Sequence, residues 1–313
     1  VDVTKNRIAV ARAMDEIVGS ETTSSIAQRR GAEAAVNGGY FRVGGTYRGE
    51  PVGTLIVGGK VKSEPNGARP SIAVDSSGTK LALVDTRVEM WLETGAGQRL
   101  DVSGVDRPRE ANEIIVYTPD FHRTTLTNPD GLEVAIRANR VTRLFRGGSS
   151  IIPADGLVVS LSGDKIARLG KLRPGDRLRF RQNVTYSPNP EWEPAFVLGA
   201  GPILIRNGRL ADRFEGFPES FLKTRHPRTA LGLRTDGTVI LLTVDGRQAG
   251  KSDGMSIYEL QQLMSELKCI EAFNLDGGGS TTMVVKGKVA NSVSDATGER
   301  PVSDAIIVTR RDR

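Results

Sequence analysis

The stretch Asn274-Leu275-Asp276-Gly277-Gly278-Gly279-Ser280-Thr281-Thr282 decides how the rest of the chain is read. The apolar run Ile270–Leu275 leads into it and Met283-Val284-Val285 leads out. Both runs are short and bounded by polar residues or glycine, which predicts strand, loop, strand. Three consecutive glycines cost backbone entropy and bury no side chain, so the loop must take unusual dihedrals or approach something closely. Successive N–H groups of Gly277, Gly278 and Gly279 can form a concave nest for an anion, with the hydroxyls of Ser280, Thr281 and Thr282 as further donors. Asp276 enters this loop from the strand end. A tight hairpin corner would use the same residues; the sharper reading is an active-site loop for a phosphate or a sugar. Two familiar phosphate motifs do not fit. No lysine precedes Ser280, as a P-loop requires, and strand rather than helix follows the glycines, unlike a dinucleotide fingerprint.

Outward from this loop the pattern is helix, then strand, then polar residue and glycines. Ser256 to Lys268 carries Ile257, Leu260, Leu263, Met264 and Leu267 on one face and precedes the Ile270 strand. The same order occurs earlier. Thr22 to Arg30 offers capping residues with Gly31 as a stop, and Ala32 to Val36 runs into Asn37-Gly38-Gly39-Tyr40-Phe41. The two strand ends are expected to lie near each other in one sheet. Between them strand signals dominate, beginning with hairpins around Gly58-Gly59 and Ser76-Ser77-Gly78. From about 90 to 195 many short strand patterns follow one another with no convincing helix. The expected fold is therefore α+β, a mixed β-sheet flanked by helices. One domain would span 1–313, with a β-rich inserted subdomain within roughly 90–195.

The composition sets outer limits. A chain of 313 residues, 38% hydrophobic and 26% charged, can bury a sizeable core. No apolar stretch is long enough to cross a bilayer, so no transmembrane segment is expected. The chain opens on Val1 with no signal peptide, as expected of a processed chain. The single cysteine, Cys269, excludes an internal disulfide framework, and with only His122 and His226 a structural zinc site is not expected. The net charge of +6 is local: eleven basic residues against three acidic ones lie between Arg137 and Arg181. Aromatic residues are few and no nucleic-acid motif is present, so no nucleic-acid partner is expected. The basic stretch 137–181 reads as a solvated face or as a contact for an anionic wall polymer.

Polar residues gather at the ends of apolar strands: Asn37, His226, Arg228, Thr229, Asp245, Arg247, Asp276 and Ser280, with Arg300 just before the last strand. The arginine fork suits phosphate or carboxylate, although a surface ion pair is the ordinary use of a single arginine. Aspartate serves as acid, base or nucleophile according to its surroundings, while Asp245 before Gly246 could simply satisfy a turn. Ser280, His226 and Asp245 could compose a triad, but Gly278-Gly279-Ser280-Thr281-Thr282 lacks the final glycine of a nucleophile elbow.

Four motifs in fixed order, Asn37-Gly38-Gly39-Tyr40-Phe41, His226-Pro227-Arg228-Thr229-Ala230, Val244-Asp245-Gly246-Arg247 and Asn274 to Thr282, resemble the phosphodiester glycosidase family. Gly201-Pro202, Ser252-Asp253-Gly254-Met255 and Arg300-Pro301-Val302 extend the resemblance over nearly the whole chain. The resemblance implies a bacterial member, exported or attached to the cell envelope, that hydrolyses an N-acetylglucosamine 1-phosphodiester-like substrate at the glycosidic bond. The catalytic candidates are then Asp276, Asp245 and His226. Asn37, Gly38, Gly39, Tyr40, Arg228, Thr229, Arg247, Gly277, Gly278, Gly279, Ser280, Thr281 and Arg300 would bind the sugar and phosphate. No cofactor is expected, and a divalent cation is left open. A glycopolymer-binding module without catalysis would use the same cleft, and a metal-dependent phosphodiesterase would need clustered ligands that the sequence lacks.

Overall fold

The computed structural model describes residues 1–67, 69–214 and 216–311. Among them are twenty-two strands against four α-helices, the longest being Ile257–Glu266 with ten residues. The expected α+β architecture is therefore corrected: the chain is mostly β, built from four sheets. The only parallel pair among the described residues is Gly104–Val105 beside Ile114–Tyr117.

Sheet A orders Asn6–Arg12, Asp304–Arg310, Ala34–Asn37, Met283–Val285 and Lys288–Val289. Sheet B orders Arg209–Leu210, Ile203–Arg206, Cys269–Asn274, Arg228–Arg234 and Val239–Val244. Sheet C is the largest. It contains the long pair Leu81–Thr94 and Leu178–Ser187, then Ser71–Asp75, Pro194–Gly199, Leu55–Val57 and Lys60–Ser63. Arg99–Asp101 pairs beside Leu81–Thr94. Sheet D is made from Gly104–Val105, Ile114–Tyr117, Gly131–Arg137, Arg140–Arg146 and Gly156–Ser162. The stretch expected to lack helix also contains the single turn Ile166–Leu169.

The period-two pattern explains why strands prevail. Ile8, Val10, Val36, Ile306 and Val308 of sheet A meet Leu231 and Phe273 of B, Leu55, Ile72, Leu83 and Leu198 of C, and Ile115, Tyr117 and Val158 of D in one core. The sheets thus cover each other's inner faces, and helices are needed only outside. The alternate residues Ala11, Ala35 and Ile307 of sheet A pack against Ile26 and Ala27 of the helix Thr23–Arg29. Ala230 and Ala272 of sheet B pack against Ile257, Leu260 and Met264 of the helix Ile257–Glu266. Small residues face that helix for a reason: a side chain at Gly232 would come within 2.5 Å of the Met264 methyl. Both helices begin as expected. Thr22 caps the first, accepting from the Ser25 amide at 3.2 Å. Ser256 forms a capping box with Glu259 at the second. Among the described residues no helix is long and apolar enough to cross a membrane.

Candidate active site

The glycine loop is the crossing from sheet B to sheet A: Cys269–Asn274 ends in one and Met283–Val285 begins in the other. The strand ends expected to share a sheet therefore lie in two sheets, yet they meet. The Asn37 side-chain amide donates to the Asp276 carbonyl at 2.7 Å, and the Asp276 amide donates to the Gly38 carbonyl at 3.0 Å. Asn37 is buried, and its side-chain oxygen accepts from the Thr229 hydroxyl at 2.7 Å and the Thr282 amide at 3.2 Å. Asn37 and Thr229 thus clamp the two sheets to the loop.

Most of the loop's amides are already engaged, half of them within the loop itself. Gly277 donates to the Asp276 carboxylate (2.9 Å), Gly278 to the Pro227 carbonyl (2.8 Å), and Ser280 and Thr281 to Gly277 and Gly278 (both 3.2 Å). The Gly279 amide alone, of Gly277 to Thr282, donates to no described residue. The hydroxyls of Ser280, Thr281 and Thr282 and the side-chain oxygen of Asn274 are buried without a partner. The glycines answer to packing as much as to dihedrals. Gly278 is left-handed at φ +62°, and a side chain at Gly277 would approach the Pro227 carbonyl at 2.7 Å. One at Gly279 would run into the Arg300 guanidinium and the Asp295 carboxylate.

Asp276 stands at the mouth of this loop. Burial pushes its pKa up to about 6, against the pull of the nearby Ser280 hydroxyl, which lies close without a well-formed hydrogen bond, the Gly277 amide and the Arg300 charge, and the Asp304 carboxylate adds a smaller rise. Asp304 was not anticipated from sequence. It is 1% exposed and accepts from the Gly39 amide at 2.8 Å and from the Ser303 hydroxyl at 2.5 Å. Burial raises its pKa as well. Gly38 is locked against it, since a side chain there would strike the Asp304 carboxylate. The second carboxylate beside Asp276 is thus Asp304. Asp245 instead accepts from the Ser292 amide at 3.0 Å and the Asn291 side chain at 3.4 Å, with Lys251 at 3.7 Å. Asn291 in turn donates to the Thr281 carbonyl at 3.1 Å, so Asp245 supports the loop through an intermediary.

The arginines differ in what they have left to offer. Arg228 is 2% exposed, and its guanidinium donates to the carbonyls of Met255 (2.8 Å), Phe221 (3.0 Å) and Thr224 (2.8 Å). No described carboxylate pairs with it, and burial pushes its pKa down to about 10. Arg247 is exposed, left-handed at φ +57°, and lies over Gly278 with one nitrogen 3.3 Å from His226 Nδ1. Burial, then the charges of Arg247 and Arg228, hold the His226 pKa below its ordinary value. A neutral imidazole can therefore accept from Arg247. Arg300 is committed to Asp295 through two contacts, at 2.8 and 3.1 Å. Tyr40 donates to the Gly201 carbonyl at 2.7 Å and accepts from Asn274 at 3.1 Å. Burial raises its pKa, and the Asp276 charge adds to the effect. The structure thus gathers Asn37 to Tyr40, His226, Arg228, Thr229, Arg247, Asp276 to Thr281 and Arg300 about one loop. Among the described residues no group of three His, Cys, Asp or Glu side chains is placed to hold a metal ion.

The phosphodiester glycosidase family model matches residues 130–309. The human N-acetylglucosamine-1-phosphodiester alpha-N-acetylglucosaminidase is 33% identical over 160 residues, which are 47% of this chain and 30% of that protein. The SPbeta prophage-derived uncharacterized protein YomE of Bacillus subtilis is 44% identical over 91 residues, 29% of this chain and 14% of that one. The chain therefore spans less than a third of the length of these two relatives. A crystal structure from Burkholderia pseudomallei, of a protein described as a candidate for export, superposes with a TM-score of 0.82 at 26% identity. It covers 97% of this chain and 71% of that one. With more than half of its length matched by the family model, the chain belongs to the phosphodiester glycosidase family.

Proposed function

We propose that the chain hydrolyses a sugar 1-phosphodiester, of the N-acetylglucosamine 1-phosphodiester class, at the glycosidic C–O bond. The observation that carries this reading is Asp276, a carboxylate with its pKa pushed up to about 6, at the start of a glycine loop that Arg228 adjoins at Gly277 and Arg247 covers at Gly278, neither arginine paired with a described carboxylate. A phosphate is a good leaving group, so departure needs charge stabilisation more than a proton. Arg247 and the Gly279 amide supply donors, and Arg228, fixed by three carbonyls, supplies a positive field. Asp276 then acts ionised at the sugar carbon, as nucleophile or as base toward water. Arg300, spent on Asp295, and Asp245, spent on the 291–292 turn, position the loop.

The substrate is proposed to belong to cell-envelope or extracellular glycoconjugates. Two features support this: the export description of the Burkholderia relative, and the adjacent sheet edges Arg140–Arg146 and Leu178–Ser187, on which Arg140, Arg143, Arg146 and Arg181 are exposed and suit an anionic polymer. The test is product analysis on an N-acetylglucosamine 1-phosphodiester in ¹⁸O water. Label in the released sugar is expected. Label in the phosphate would mean P–O cleavage, and no turnover would leave a glycan-binding module.

A further inference from the structure

Beyond the loop, a cleft of about 390 Å³ opens between Pro70, Pro202, Phe214 and Phe217, with Arg213 at its side. It adjoins the site directly. Phe217 packs against Tyr40 with ring centroids 6.3 Å apart, and a side chain at Gly201, whose carbonyl Tyr40 bonds, would touch both Phe217 and Pro70 at 3.3 Å or less. Between cleft and loop lies Arg69. Its guanidinium carbon sits 5.2 Å from the Tyr40 ring centre and 5.3 Å from that of Phe217. Both rings lie within cation–π reach of its guanidinium, and no described carboxylate pairs with it. At the far end the acid Asp85 is already neutralised by Arg206 through two contacts of 3.2 Å. Among the described residues the cleft therefore carries an excess of positive charge beside apolar walls.

We propose that this cleft is the aglycone subsite and that Arg69 selects an aglycone bearing an anionic group, carboxylate or phosphate, next to a compact apolar or ring surface. The inference rests on the reading of Asp276 as the centre that acts on the sugar carbon. The volume suits one small residue beyond the scissile phosphate. The Phe217 and Pro202 walls offer the apolar face, and the Arg69 fork meets the anion in a partly desolvated setting. Arg228 and Arg247 adjoin the glycine loop and Arg206 is engaged by Asp85, so Arg69 and Arg213 are the described cations left for a second anion at the cleft, and Arg69 is the one held near two rings at the Tyr40 end.

The experiment compares two N-acetylglucosamine 1-phosphodiesters, one with glyceric acid and one with glycerol as aglycone. Both kcat/KM and the binding of their C-glycosidic phosphonate analogues, in which methylene replaces the glycosidic oxygen, are measured. The wild type is expected to favour the carboxylated member at least about tenfold in both readings, and Arg69→Gln to bring the ratio to within twofold of one. Arg69→Lys should retain part of it. A merely structural role for Arg69 would lower both members together and leave the ratio standing. Equal values in the wild type, or a ratio that survives in Arg69→Gln, overturn the subsite while hydrolysis itself stands. A binding ratio present without turnover of either diester overturns the hydrolase reading and retains the subsite.

Discussion

Asp276 concentrates the chemistry and a stability cost in one side chain. Its pKa rises from 3.8 to about 6 on folding, so the native state holds the proton more tightly. Stability then falls as pH rises from about 4 through about 6, and above that the buried charge is a standing cost. Asp276→Asn removes that charge with little change in shape. Urea unfolding at pH 7.5 should show the variant more stable by on the order of 2 kcal/mol, a gain that disappears near pH 3.5. Turnover should fall at least about a hundredfold. A variant both sturdier and inactive would mark a functional carboxylate; a less stable, active one would return Asp276 to turn formation. Because Asp276 acts ionised, kcat/KM of the wild type should climb with pH and level off above about 6. Asp304→Asn removes the neighbouring charge that raises this pKa while still offering an oxygen to the Gly39 amide. The rising limb of its pH profile should therefore shift to lower pH, and an unchanged limb would separate the two carboxylates.

At the level of elements, the sequence disclosed what local chemistry can specify. The Ser256 capping box, the Thr22 cap and the hairpin at Gly58-Gly59 follow from neighbouring residues alone. Asp304 escaped because it sits at the start of an apolar strand and its partner Gly39 is 265 positions away. Arg69 escaped because a stacked arginine has no local signature; its rings come from Tyr40 and Phe217. The glycine run was visible as a site, but its role differs in emphasis, since packing against Pro227, Arg247 and Arg300 consumes much of its freedom. Asn37 shows how strand-end residues become structural. Asn37→Ala would strand the Thr229 hydroxyl, the Thr282 amide and the Asp276 carbonyl in the interior, and should cost about 3 kcal/mol or more in denaturant unfolding. Activity should fall further than stability explains, because the clamp also sets where Asp276 stands.

For the whole molecule, a period-two pattern announces strands but does not say which strands share a sheet. That is why the four-sheet body read as a mixed sheet with flanking helices. The two amphipathic helices are real, yet each covers only the outside of one small sheet. The pairing within sheet A has a kinetic meaning. Asp304–Arg310 lies between Asn6–Arg12 and Ala34–Asn37, matching Ile8 to Val308 and Asn37 to Ala305. Closing such loops costs chain entropy before any contact repays it, so these pairs form slowly compared with the local hairpins of sheets C and D. Asp304 and the seat of Asp276 exist only once sheet A is assembled. After dilution from denaturant, the far-UV circular dichroism signal should recover ahead of catalytic activity, with a lag visible in stopped and resumed assays. Partly folded chains would then be catalytically silent: competence arrives last, as the chain joins stretches nearly three hundred residues apart.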